Sequence, residues 1–178
     1  MYGKGAPPVQ EGARTGVGIA THLTYRQVHG RSVAGRRAQW LAVLRIGLGL
    51  WWLESRRHKD KKAWFERGSG IAWAADVAAR HRWTPVRAGF ATVVGPHPEL
   101  MAYVVAYAEL SLGLGLIAGF LTPVALLGGL LLNLLYFVLM IHDWAEQGQN
   151  SMMALICLVG FFGMSWQTWS LDAALGWF

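Results

Sequence analysis

The sequence predicts an all-α membrane protein: a bundle of four transmembrane helices, with short interfacial helices between the first and second spans. Three observations carry that prediction. The chain is 54% hydrophobic, and its apolar residues are gathered into runs rather than spread along it. Two of these runs, 99–120 and 124–141, are separated by a break at Thr122-Pro123, and each matches the roughly 20 residues needed to cross a hydrocarbon core. Charge is segregated as well. The chain has 16 Lys and Arg, none of them after Arg87, and Arg45 alone falls inside an apolar run.

Residues 1–37 are Gly-rich, polar and basic, with Pro7-Pro8 near the start and no apolar run of signal-peptide type. They read as a flexible basic tail that only a partner would order. Residues 38–178 form the four-helix membrane domain. Its first span, 38–55, places Arg45, Gly49 and Trp52 on one face at 100° per residue. That face points into the bundle, because an arginine facing lipid is penalised by a few kcal/mol on insertion scales. Trp40 and the Trp51-Trp52 pair lie near the two ends, as in an aromatic belt.

The connection 56–98 opens with a charge run, RRHKDKK, that reads as solvated or facing lipid headgroups. Ser69 can cap a helix reaching Arg82, and Thr84-Pro85 can start another that ends before Gly95-Pro96. Trp64, Phe65, Trp73, Trp83 and Phe90 are interspersed with the bases, a mixture suited to helices lying in the membrane interface. Six bases precede the first span and nine follow it, so both of its flanks suit anionic lipid.

The second span, 99–120, carries Ser111, Gly115 and Gly119 every four residues, a small-residue stripe of the kind that lets helices approach closely. Glu109 lies on a different face, near Ala102, Gly113 and Leu116. The third span, 124–141, places Gly129, Asn133, Tyr136, Phe137 and Met140 on one side. The fourth, 151–166, contains Gly160 and Gly163 and leads into a Trp-rich interfacial end, WQTWSLDAALGWF.

Counted from the ends of the apolar runs, Arg45, Glu109 and Asn133 have similar depth, which predicts a polar intramembrane cluster. Two readings stand. The cluster is a clamp that sets helix register, or it is the polar end of a quinone or small-substrate cavity lined by Trp52, Tyr107, Tyr136 and Phe137. In the second reading Glu109 would supply a proton, since reducing a quinone consumes two electrons and two protons. His97 and His142 fall at span ends on one predicted side, where they are interfacial residues, a proton relay, or ligands to a pigment metal. His22, His29, His58 and His81 sit in basic polar segments and are expected to be solvated.

Several function classes are excluded. Cys157 is the single cysteine, so no disulfide within the chain and no cysteine set for an iron–sulfur cluster is encoded. There is no CxxCH sequence, no Gly-rich dinucleotide loop, no metal-ligand cluster and no Ser/His/Asp signature. The bases flank membrane spans, so lipid headgroups rather than nucleic acid are the expected partner. Any bound quinone, lipid or pigment would come without an encoded electron carrier, and the chain alone is not expected to run a redox cycle.

RIGLGLWWLESRRHK, a segment ending in TVVGPH, the long run AYVVAYAELSLGLGLIAGFLTPVALLGGLLLNLLYF, and a last span ending in WSLDAAL together resemble the DoxX/DoxD family over about residues 40–176. Most of the likeness lies in Glu109, Leu110, Gly113, Leu114, Leu116, Gly119, Phe120 and Thr122. The resemblance implies a four-helix membrane bundle with Arg45, Glu109, Asn133, Asn150 and Asp172 at family-typical polar positions. It also implies two alternative roles. One is a multi-pass subunit of a thiosulfate:quinone oxidoreductase type of complex in a bacterial or archaeal cytoplasmic membrane. The other is a non-catalytic accessory subunit of a larger respiratory or photosynthetic complex, held by other subunits. The basic tail and the Trp-rich interfacial segment exceed the minimal family pattern and suit docking.

Overall fold

The computed structural model describes the backbone of residues 16–59, 62–66 and 69–178, and side chains from residue 35 onward apart from 62, 63 and 69. Internal contacts divide the chain after Arg37, and the second unit, Ala38–Phe178, holds the packing described below. The helices are α1 (Gly16–Arg57), α2 (Lys62–Phe65), α3 (Ser69–Ala79), α4 (Thr84–Gly89), α5 (Pro98–Ala118), α6 (Thr122–Leu139), α7 (Trp144–Phe162) and α8 (Leu171–Leu175). A π-helical turn, Phe90–Val94, follows α4, and a 3-10 turn, Ser165–Gln167, follows α7. Among the described residues there is no strand.

Local chemistry sets these boundaries. Pro98 and Glu99 occupy the first turn of α5, where a missing N–H costs nothing and a carboxylate meets the positive helix end. Gly119 ends α5 in the left-handed region at φ 66, a conformation that glycine adopts without strain. Asp143 caps α7 by accepting from the N–H groups of Ala145 at 3.0 Å and Glu146 at 3.2 Å. Helix α3 starts at Ser69 as expected, and the Thr84 helix and the turn after it end at Gly95.

Two elements differ from expectation. The backbone is already helical at Gly16 rather than from Ala38, and residues 1–15 of the expected flexible tail lie outside the described residues. The expected fourth run, 151–166, is displaced toward the N-terminus as α7, because the Asp143 cap starts the helix early and left-handed Met164 (φ 53) stops it. Helices α5 and α6, with mean hydropathy 1.8 and 2.0, are long and apolar enough to cross a membrane.

Helices α1 and α5 meet at glycines. A Cβ on Gly49 would lie 2.9 Å from the Gly113 carbonyl oxygen, and one on Gly113 would lie 3.1 Å from that of Gly49. Their backbones therefore touch, which fixes the antiparallel register. The core is built from Leu48, Trp52, Leu116, Leu126, Met153, Cys157 and Trp166. On the outside, Leu131 is 68% exposed and Phe162 78%. Apolar side chains turned outward along apolar helices suit hydrocarbon rather than water.

The C-terminal segment closes one end of the bundle. Asp172 accepts from the N–H groups of Leu121 and Thr122, each at 2.8 Å, and so satisfies the start of α6. Its own N–H donates to the Gly119 carbonyl at 2.9 Å. Arg45 donates from Nη1 to the Ser165 carbonyl at 3.1 Å and from Nη2 to the Trp169 carbonyl at 2.5 Å.

Candidate functional site

Glu109 lies on the inward face of α5 with Ala102, Ala106, Gly113 and Leu116, and it is fully buried. A buried carboxylate must be matched by charge and hydrogen bonds, and here three elements supply them. Lys59, just past α1, donates to Oε1 at 2.9 Å and to Oε2 at 2.7 Å. The Ser55 hydroxyl, in the last turns of α1, donates to Oε1 at 3.2 Å. The Tyr136 hydroxyl on α6 donates to Oε1 at 3.1 Å.

The ammonium of Lys59 is held in turn. It donates to the Ser55 hydroxyl at 3.0 Å and lies 5.3 Å from the Trp64 ring centroid, a cation–π contact. Trp64 packs on Gly70, the second residue of α3: a Cβ there would come within 2.5 Å of indole Cε2. The network forms the polar wall of a cavity of about 300 Å³. Its apolar wall includes Ile71, Trp73, Leu139 and Met140, and Asn150 and Glu146 of α7 lie on its rim. The site combines a fixed carboxylate, a cation, a phenol and an apolar chamber. It can hold a small amphiphile and pass protons to it.

The structure does not form the expected Arg45–Glu109–Asn133 cluster. Arg45 contacts the C-terminal segment, and its Nη1 lies 2.6 Å from where a Cβ on Gly119 would be. Glu109 contacts Ser55 and Lys59. Ten helical residues separate Arg45 from Ser55, about 15 Å of rise. The reason is the Gly49–Gly113 crossing. In an antiparallel pair, residues before Gly49 meet those after Gly113, so depth counted from the ends of apolar runs misplaces both side chains. Asn133 is buried and donates to the Gly129 carbonyl one turn back at 2.7 Å. Arg45, Glu109, Asn133, Asn150 and Asp172 are all buried, but Glu109 and Asn150 line one cavity whereas Arg45 and Asp172 hold the C-terminal segment.

Of the expected cavity residues, Tyr136 lines the cavity. Trp52 is buried in the core, where its Nε1 lies 3.5 Å from the position a Cβ on Gly129 would take. Tyr107 is on the outer face of α5, 59% exposed, stacked with Tyr103. Phe137 is half-buried and outside the lining. The heptad-like placement of Tyr136 and Phe137 on one side was too coarse to separate two neighbours 100° apart. Lys59, Ser55 and Trp64 were not legible as site residues, because Lys59 reads as one of five Lys and Arg in a charge run.

The small-residue stripe is divided too. Gly119 packs under Arg45 and Ser170. Ser111 and Gly115 instead line an apolar groove of about 860 Å³ between α5 and α6, with Gly128, Leu131 and Leu135 opposite. Close helix contact within the chain runs through Gly113 on the other face.

His97 and His142 are both exposed. His142 neighbours His81, with ring centroids 6.3 Å apart. His81 is a correction: expected in solvent, it is 1% exposed. The helix that was expected to reach Arg82 stops at Ala79 and turns the His81 ring inward, where its Nε2 lies 2.9 Å from the Val138 carbonyl. His58 is exposed, and His22 and His29 lie outside the described side chains. Among the described residues no group of three or more His, Cys, Asp or Glu is arranged to hold a metal ion.

Comparison with known proteins gives one match: the profile of the DoxX family covers residues 40–143, more than half of the chain and all of the Glu109 network's residues. No curated protein matches, and no solved structure matches.

Proposed function

The chain belongs to the DoxX family of membrane proteins, and on that premise we propose that it is a membrane subunit of a redox complex of the thiosulfate:quinone oxidoreductase type. In this reading, four spans from α1, α5, α6 and α7 anchor it in a bacterial or archaeal cytoplasmic membrane. The α2–α4 segment lies in the interface, and the basic segment before Ala38 docks a partner. The cavity beside Glu109 receives a quinone head. Partner subunits supply the electrons, because the chain encodes no electron carrier. Lys59 and Tyr136 hydrogen-bond the head, and Glu109 relays protons to it.

The observation that carries this reading is the fully buried Glu109, tied to Lys59, Ser55 and Tyr136 on the wall of a cavity whose opposite side is largely apolar. The charge is kept inside although burying it is costly, and the lining suits a flat ring with polar edges. The test is quinone binding to the purified chain in lipid nanodiscs. Y136F is expected to weaken binding about 10-fold, the worth of one hydrogen bond to a charged network. Unchanged binding in Y136F, or none in the unaltered chain, overturns the reading.

The accessory-subunit alternative has its own support in the open α5–α6 groove. Its small residues would admit a helix of a neighbouring subunit. Association in mild detergent that is lost in G115L while quinone binding persists would favour it.

A further inference from the structure

We infer that His81 is a protonation-sensitive latch that holds α3 against the end of α6 and so controls access to the cavity beside Glu109. Each ring nitrogen of His81 has a defined role. Nδ1 accepts from the Trp83 backbone N–H at 3.0 Å, so the proton is on Nε2, which donates to the Val138 carbonyl at 2.9 Å. This arrangement requires the neutral ring. A second proton can attach only to Nδ1, where it meets the Trp83 N–H and abolishes that bond.

The groups around the ring make other contacts and do not replace that bond. From α4, the Arg87 guanidinium donates to the His81 carbonyl at 2.5 Å. From the α6–α7 turn comes His142, a second imidazole with its ring centroid 6.3 Å from that of His81. Arg82, next in the chain, stacks on Trp83 at 5.2 Å. The nearby carboxylates are engaged elsewhere: Asp143 caps α7, and Asp76 pairs with Arg80 in solvent. The end of α6 presents the backbone oxygen of Val138, with Leu139 and Met140 beyond it. A second proton on His81 therefore costs the Trp83 contact, and among the described residues no carboxylate hydrogen-bonds the ring in exchange.

The latch is coupled to the cavity by packing. One turn before His81, Ala78 packs against Leu139 and Met140 with Ala74 and Val77 beside it. Leu139, Met140 and Ala74 are also cavity wall, as are Ile71 and Trp73 of the same helix. Helix α3 packs on α2, on α5 and on the turn after α4 as well as on α6, so what releasing His81 frees is the C-terminal end of α3, where Ala78 meets Leu139 and Met140 while the rest of the bundle stays folded.

The inference concerns access to the cavity and holds whatever the cavity binds. The test uses the full chain in lipid nanodiscs, with Cys157→Ser to remove the native thiol and Ala74→Cys to report from the wall. Labelling by 4,4′-dithiodipyridine is normalised to a Gly35→Cys chain, an exposed position with open space around it. Between about pH 8 and about pH 5, normalised labelling at position 74 is expected to rise about 10-fold. Adding His81→Gln, which keeps a neutral donor and acceptor, is expected to abolish the rise. A flat profile with His81 present overturns the latch, whether or not the His81→Gln chain folds. An equal rise in a folded His81→Gln chain also overturns it. Quinone binding plays no part in this readout, so the two ideas fail separately.

Discussion

The ammonium of Lys59 lies 2.7 Å from Oε2 of Glu109, joining the chain just past α1 to the middle of α5. Lys59 keeps only 15% of its side chain exposed, and Glu109 none. A pair this buried is asymmetric in its energetics: losing one partner strands a charge, whereas losing both leaves little behind.

Lys59→Met is therefore expected to destabilise the bundle by about 3–5 kcal/mol, and Lys59→Met with Glu109→Gln by clearly less. Unfolding by steric trapping in detergent, run as a double-mutant cycle, checks this. Additive losses would show that the two side chains act independently.

Gly49→Ala is expected to cost about 1–3 kcal/mol, because its Cβ meets backbone atoms of Gly113 and Ile117 that cannot rotate away. Gly47→Ala, two residues earlier with nothing within 4 Å, is the control. It should be neutral or stabilising by up to about 1 kcal/mol through helix propensity. Equal effects at both sites would remove the crossing from its role in register.

Asp172→Ala is expected to leave the N–H groups of Leu121 and Thr122 without their acceptor, at a cost of about 1–3 kcal/mol. Hydrogen exchange at those two amides should accelerate at least about 10-fold as the start of α6 frays. Binding at the Glu109 cavity should change less than about 2-fold, since the sites are about 15 Å apart along the helices. Protected amides would mean that another group satisfies them.

Gly70→Ala is expected to push the Trp64 ring off Lys59, because the new methyl would overlap the indole itself. An amine-reactive reagent should then modify Lys59 several-fold faster, as loss of the cation–π cover exposes the ammonium. Mass spectrometry of the labelled peptide reads this directly. An unchanged rate would show that Trp64 does not shield the ion pair.

Much of the architecture was legible from residue chemistry alone. Long apolar runs broken at Thr122-Pro123, Ser69 and Thr84-Pro85 as starts of short helices, and the inward face of α5 bearing Glu109 are all local signals, because backbone sterics and periodicity act within a few residues. The polar residues that the resemblance singled out, Arg45, Glu109, Asn133, Asn150 and Asp172, are all buried.

Which polar residues meet was decided elsewhere. Depth counted along the sequence brings Arg45 to Glu109, but two glycines that touch across α1 and α5 set the register and send Arg45 to the C-terminal segment and Glu109 to Lys59. His81 reads as a solvated base until α3 ends at Ala79 and turns the ring under α6. The sequence by itself determined the long apolar helices α5 and α6 and the inward face that bears Glu109, since each depends on neighbours in the chain. The tertiary structure alone decided the Glu109 network and the His81 contact, because both depend on how far one helix slides against another, and that is fixed by backbone contact between residues distant in the chain.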